Sequence, residues 1–143
     1  MIIRILPDYA AESYSKNLSY DNKVAIISIT TNEEGDEPTN ISNSKWLFRM
    51  RFHDITEDLE CRDYIIYAPT QTDFVGLKSF VDCIRDYASE LWIHCGAGVS
   101  RSPALAAAVM EYLGMDSNRI LKSDRFIPNP LVYKLAKIEL GVE

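Results

Sequence analysis

The chain has 143 residues, with 15 Lys and Arg against 21 Asp and Glu, and a net charge of −6. Its 47% apolar and 25% charged residues are globular composition, and the length suits a single domain over residues 1–143. No apolar run reaches the roughly 20 residues of a membrane span, acidity argues against general nucleic-acid binding, and three cysteines suggest no disulfide framework.

The opening sequence MIIRILPDYAAESYSK holds too short an apolar stretch for a secretory signal, so a cytoplasmic, reducing location is expected. Residues 1–6 read as a short strand closed by Pro7, and a helix runs on through Lys16 with Asp8 near its start. Residues 24–29 (VAIISI) are a β-branched run of the kind buried on both faces of a sheet. The polar stretch 30–38 reads as an exposed loop. Trp46, Phe48, Met50 and Phe52 then alternate with Leu47, Arg49 and Arg51, a half-buried strand by period. From 72 to 88, Phe74, Leu77, Val81, Ile84 and Ala88 recur at helical spacing, and Cys83 is expected as a small core residue between Val81 and Ile84. Residues 91–95 form a buried strand. Pro103 suits the first turn of a helix over 104–113, apolar nearly all round and stopped at Gly114. A last helix follows Pro130, with Leu131, Leu135 and Ile138 on one face. Strands alternating with helices imply an α/β sandwich around a mainly parallel sheet.

The chemistry concentrates between the strand at 91–95 and the helix that follows it. Cys95 ends the strand, and Gly96, Ala97, Gly98, Val99 and Ser100 form a short loop before Arg101, Ser102 and Pro103. Successive backbone N–H groups in such a turn form a nest, and the helix N-terminus adds about half a positive charge. That makes Gly96–Ala97–Gly98–Val99–Ser100–Arg101 a phosphate-binding candidate, with the planar Arg101 fork suited to two phosphate oxygens. Cysteines at helix N-termini beside cations favour the thiolate, and a thiolate at the base of an anion cradle is placed to attack bound phosphorus. Ser102 can donate a hydrogen bond to the sulfur. His94, on the opposite strand face from Cys95, is expected to order the loop backbone rather than act as a base. Neither it nor His53 has the surroundings of a metal site.

The run His94-Cys95-x-x-Gly98-x-x-Arg101-Ser102 resembles the signature loop of the cysteine-dependent protein tyrosine phosphatases, in their compact dual-specificity form. Arg125-Phe126-Ile127-Pro128-Asn129 and the helix after it are similar to the Pro-Asn element packed beside that loop in the family. The resemblance implies a three-layer sandwich with a phosphatase-like sheet. It implies hydrolysis of phosphotyrosine, with phosphoserine and phosphothreonine left open, through a cysteinyl-phosphate and without metal or cofactor. Its implied partner is a phosphorylated protein or peptide, with no nucleic acid and no membrane. The loop carries no Lys between Cys95 and Arg101, unlike relatives that act on inositol phospholipids.

A departing ester oxygen also needs a proton. In the family the acid is an aspartate just past the half-buried strand, and Asp54 matches that position, with Asp58 as the alternative. Asp54 precedes Cys95 by 41 positions, a long interval for the family, which extra residues in 60–70 would account for. The rival reading is a pseudophosphatase that binds phosphorylated partners without turnover. Oxidation of Cys95 onto Cys61 or Cys83 is the less favoured reading of the other thiols.

Overall fold

The computed structural model describes residues 1–31 and 38–143, so most of the loop expected at 30–38 lies outside the described residues. In chain order the elements begin with strand β1 (Ile2–Pro7), helix α1 (Asp8–Lys16), and strands β2 (Val24–Thr30) and β3 (Trp46–Arg51). A short pair follows, β4 (Leu59–Glu60) and β5 (Ile65–Ile66), then helix α2 (Leu77–Ile84) and strand β6 (Glu90–Cys95). Helices α3 (Arg101–Tyr112), α4 (Asn118–Leu121) and α5 (Pro130–Leu140) complete the chain. Among the described residues β1, β6, β2 and β3 form one parallel sheet in that order, and β4 and β5 form a separate antiparallel hairpin.

Side chains alternate across the sheet, so β2 serves two interiors. Ala25, Ile27 and Ile29 join Leu91 and Ile93 of β6 in the larger core, which continues into α2, α3 and α5. Val24 and Ile26 meet Trp92 on the other face, where Tyr14 of α1 touches the Trp92 ring edge-on at 6.3 Å between centroids. The result is an α/β sandwich with helices on both faces of a parallel sheet. Every residue of α3 from Arg101 to Met110 is buried. Ala104, Ala106, Ala107 and Ala108 supply the small volumes that let a helix sit this deep among close-packed neighbours. No helix among the described residues is long and apolar enough to cross a membrane.

The structure corrects three expectations. The helix expected over 72–88 is broken: a 3-10 turn at Gln71–Phe74 gives way to α2 at Leu77, which ends at Ile84. Gly76 between them has φ +94°, a left-handed conformation no helix can run through, and a Cβ there would lie 3.3 Å from the Phe48 ring. Cys83 is exposed, because the buried stripe of α2 is Leu77, Val81 and Ile84 and position 83 falls on the opposite side. In α5 the buried face is Val132, Ala136 and Leu140, while Ile138 is exposed and Leu131 and Leu135 are half-buried. Small Ala136, not a large side chain, fits against the alanine-rich α3. The extra residues expected in 60–70 hold most of the β4–β5 hairpin.

Ala136→Leu should therefore destabilise the protein by about 1–3 kcal/mol through overpacking. Ile138→Ala, at an exposed position, should change stability by less than about 0.5 kcal/mol. Urea unfolding midpoints of the two variants check this, and equal shifts would assign the inner face of α5 wrongly.

Candidate active site

Cys95 is the last residue of β6, a strand flanked on both sides by β1 and β2. Ligand crevices in such sheets lie outside the carboxyl ends of the strands, beside the central connection. The six residues from Cys95 to Ser100 leave the sheet there and turn into α3. Gly98 makes the turn at φ +72°, with its α-carbon so close to β1 that a Cβ would stand 2.9 Å from the Leu6 carbonyl carbon and the Pro7 nitrogen. Only glycine fits both the angle and the contact.

Three outside donors hold the loop's carbonyls. Asp8 N–H donates to Gly96 O at 3.0 Å, Ile127 N–H to Val99 O at 2.9 Å, and Asn129 N–H to Ser100 O at 3.1 Å. In a trans peptide the next N–H points opposite to the carbonyl. Fixing these carbonyls outward therefore turns the N–H groups of Ala97, Ser100 and Arg101 toward the loop's interior, as an anion nest requires. The Gly98 N–H donates to Cys95 Sγ at 3.3 Å, and Ser102 Oγ lies 3.1 Å from the same sulfur. Cys95 is buried, 3% exposed, so the sulfur's surroundings are these polar hydrogens and little bulk water.

Arg101 is also buried. Its Nη1 donates to the Phe52 carbonyl at 3.0 Å, which orients the guanidinium, and Phe52 is itself locked by stacking on Phe74 at 5.2 Å between centroids. Arg101 Nε is buried and makes no hydrogen bond among the described residues. A buried guanidinium N–H without a partner is costly. The Arg101 side chain lies over the loop, with Nη2 only 3.5 Å from where a Gly96 Cβ would stand. That leaves a buried guanidinium N–H free to donate beside the loop.

Asp54 follows β3 and reaches the same loop. Its Oδ1 accepts from Ser100 Oγ at 2.8 Å and from Asn129 Nδ2 at 2.9 Å. Asn129 spends its other side-chain atom as the N-cap of α5, accepting from Leu131 N and Val132 N. One residue thus ties α5, the loop and Asp54 together. Asp58, the alternative acid, instead accepts from Ala68 N at 2.8 Å and serves the β4–β5 hairpin. A cavity of about 330 Å³ opens beside Asp54, walled by Ile55, Leu59, Ser100, Ile127 and Pro128.

His94 is wholly buried beneath the loop. Ser28 Oγ accepts from Arg49 Nη1 at 3.4 Å and lies 2.6 Å from His94 Nε2, while His94 Nδ1 lies 3.2 Å from the Cys95 carbonyl. This network assigns the neutral tautomer: the Ser28 hydroxyl donates to Nε2, and Nδ1–H donates to the Cys95 carbonyl. Burial holds the imidazole below its ordinary value of 6.5, against the opposing pull of the Cys95 carbonyl.

Of the residues singled out from sequence, the structure brings Cys95, Ser102, Arg101, the 96–100 loop and Asp54 together at one end of the sheet. Sequence reasoning missed Asn129 as the partner of Asp54 and the Phe52 carbonyl as the anchor of Arg101. The cap role of Asn129 was signalled by Pro130 after it. Its contact across 75 positions carried no local signal.

No protein-family model matches the sequence, and no curated protein matches it. Solved structures do. The human tyrosine phosphatase-like serine/threonine/tyrosine-interacting protein is 20% identical with a TM-score of 0.61, the match covering 97% of this chain and 91% of that one. Human DUSP28 is 13% identical with a TM-score of 0.60 over the same shares, 97% and 91%. PTPMT1 is 18% identical with a TM-score of 0.58, covering 98% and 90%. At these identities the likeness establishes the fold, that of the compact dual-specificity phosphatase type.

The His94 arrangement has a pH signature. A histidine held neutral in the folded state takes up protons on unfolding, so its stabilisation is present above pH 6.5 and is lost as pH falls below it. Unfolding free energy should fall between about pH 7 and about pH 5, and His94→Gln should flatten part of that fall. Parallel denaturant titrations across this range check it; identical pH slopes for both proteins would contradict it.

Proposed function

We propose that residues 1–143 form a phosphatase catalytic domain that hydrolyses phosphotyrosine in proteins through a cysteinyl-phosphate. The observation that carries the reading is the buried, unpartnered Arg101 Nε beside a loop that aims a Gly98 N–H and the Ser102 hydroxyl at the Cys95 sulfur. The fold shared with phosphatases of solved structure supports it.

In this reading the phosphate oxygens lie on the inward N–H groups of the loop and on Arg101. The Cys95 thiolate attacks phosphorus, a P–S bond forms, and the ester P–O bond breaks. Asp54 gives its proton to the departing phenolic oxygen, which leaves as the phenol. The resulting Asp54 carboxylate then takes a proton from water. The hydroxide oxygen attacks phosphorus and the P–S bond breaks, releasing phosphate and restoring the thiolate. Ser102 stabilises the departing sulfur by its hydrogen bond. Ser100 and Asn129 keep Asp54 at the rim of the loop, which favours it over Asp58, committed to the hairpin. All steps are routed through the chain's own residues, and a phosphorylated protein or peptide is the partner. A cytoplasmic location keeps the Cys95 thiol reduced. With nucleophile, arginine and acid all converging on one loop, turnover is favoured over a phosphate-binding module without catalysis.

Purified protein should hydrolyse an aryl phosphate, and Cys95→Ser should abolish turnover while still binding inorganic phosphate, since the N–H nest and Arg101 remain. Loss of phosphate binding in Cys95→Ser would contradict the assignment of that role to the backbone and Arg101. Asp54→Asn should cut kcat by a factor on the order of 10²–10⁴ and remove the basic limb of the kcat/KM pH profile. Asp58→Asn should leave that limb in place. Equal, small effects of the two would sink Asp54 as the acid.

A further inference from the structure

A second feature lies along the edge of the sheet, outside the loop. Among the described residues β1 is an edge strand, paired with β6 on one side alone. Ile2 N–H turns toward β6, where it donates to Ser89 O, so by strand alternation the backbone groups of Ile3 and Ile5 face outward. A groove of about 400 Å³ runs along this edge, with β1 from Ile3 to Leu6 as one wall and residues between Arg119 and Phe126 as the other.

The groove is basic on an acidic protein. Arg4 is paired with Glu90 across to β6. Arg119 gives one nitrogen to the outward Ile3 carbonyl at 3.0 Å, and Arg125 lies over the Phe126 ring at 5.5 Å. Neither Arg119 nor Arg125 has a carboxylate partner among the described residues. The groove also leads to the catalytic loop. Leu6 on one wall abuts Gly98, and Phe126 on the other immediately precedes Ile127, which holds the Val99 carbonyl.

We propose that this groove takes an extended acidic stretch of the phosphorylated protein substrate, laid against β1 with its carboxylates on Arg119 and Arg125. The outward N–H and C=O of Ile5 supply main-chain hydrogen bonds, as when a strand is added to a sheet edge. The proposal rests on the phosphatase reading for what the loop does to the phosphate, and adds what selects the substrate. Register sets the distance. Pro7 stands beside Cys95 and Ile3 beside Leu91, so the Arg119 contact at Ile3 lies about 13 Å along the strand from the nucleophile's level. Acidic residues about three to five positions from the phosphotyrosine would reach it.

The test uses two fluorescent phosphotyrosyl peptides that differ by Glu or Gln at those positions, at low ionic strength. Wild type should favour the Glu peptide by about tenfold in kcat/KM, carried in KM and lost at high salt. Arg125→Gln and Arg119→Gln should each shrink the Glu-to-Gln ratio, and the double variant should bring it to about twofold or less. Because the ratio is taken within one protein preparation, a partly unfolded variant does not imitate the effect. Equal rates on both peptides for wild type, or a ratio that survives the double substitution, would overturn the proposal. If wild type turns over neither peptide nor an aryl phosphate, the phosphatase reading fails by itself. Anisotropy of the same peptides then decides the groove: tighter binding of the Glu peptide, abolished in the double variant, supports it, and equal binding overturns it. Sedimentation showing a dimer that the double variant dissolves would assign the groove to a second copy of this chain and also overturn it.

Discussion

The close approach of Gly98 to the end of β1 sets the geometry on which the site depends. Its left-handed backbone and missing side chain let the loop fold back onto Leu6 and Pro7. From there Asp8, Ile127 and Asn129 can seize the carbonyls of residues 96, 99 and 100. Those three bonds use acceptors that would otherwise repel an anion, and they orient the opposite ends of the same peptides inward. In the proposed reading the anion site is thus built from backbone, with its rigidity borrowed from the sheet edge on one side and the N-terminus of α5 on the other. Arg101 and Cys95 are added to a cradle that already exists.

Charge follows the same logic of placement. The chain carries −6 overall, yet no acid occurs from Cys95 to Met110, and the helix that begins at Arg101 presents its N-terminus to the loop. Oriented N–H groups at short range outweigh diffuse surface charge that water and salt screen. Asp8 from α1 and Asp54 from beyond β3 both reach this region, and Asp54 is held there by neutral donors, Ser100 and Asn129. That arrangement keeps a carboxyl group at the rim without an ion pair to Arg101.

Much of this was legible in the sequence because it is local. The β-branched run of β2, the strand-to-helix turn at Cys95 and the Arg101 spacing each follow from neighbours within a few residues. Where the reading failed, the deciding contact was distant. Gly76 breaks a helical periodicity that Phe74, Leu77 and Val81 all support, and it does so where the Phe48 ring of β3 packs against it. The inner face of α5 is chosen by Ala136 meeting an alanine-rich α3, a matter of volume that hydrophobicity ranks wrongly in favour of Leu135 and Ile138. Cys83 looked like core because its neighbours are apolar, but the turn of α2 carries it to solvent. Asn129 was visible as a cap and invisible as the partner of Asp54. Pattern reveals elements; convergence of remote side chains is revealed only by packing.

The central claim is that Cys95 forms a covalent bond to phosphorus. The most direct measurement is rapid acid quench of the enzyme during turnover of a phosphotyrosyl peptide, followed by mass analysis of the peptide containing Cys95. One phosphoryl group is expected on Cys95, formed more slowly in Asp54→Asn, which lacks the proton donor for the leaving phenol, and absent in Cys95→Ser. Turnover at an undiminished rate by Cys95→Ser, or a phosphoryl group found on another residue, would contradict it.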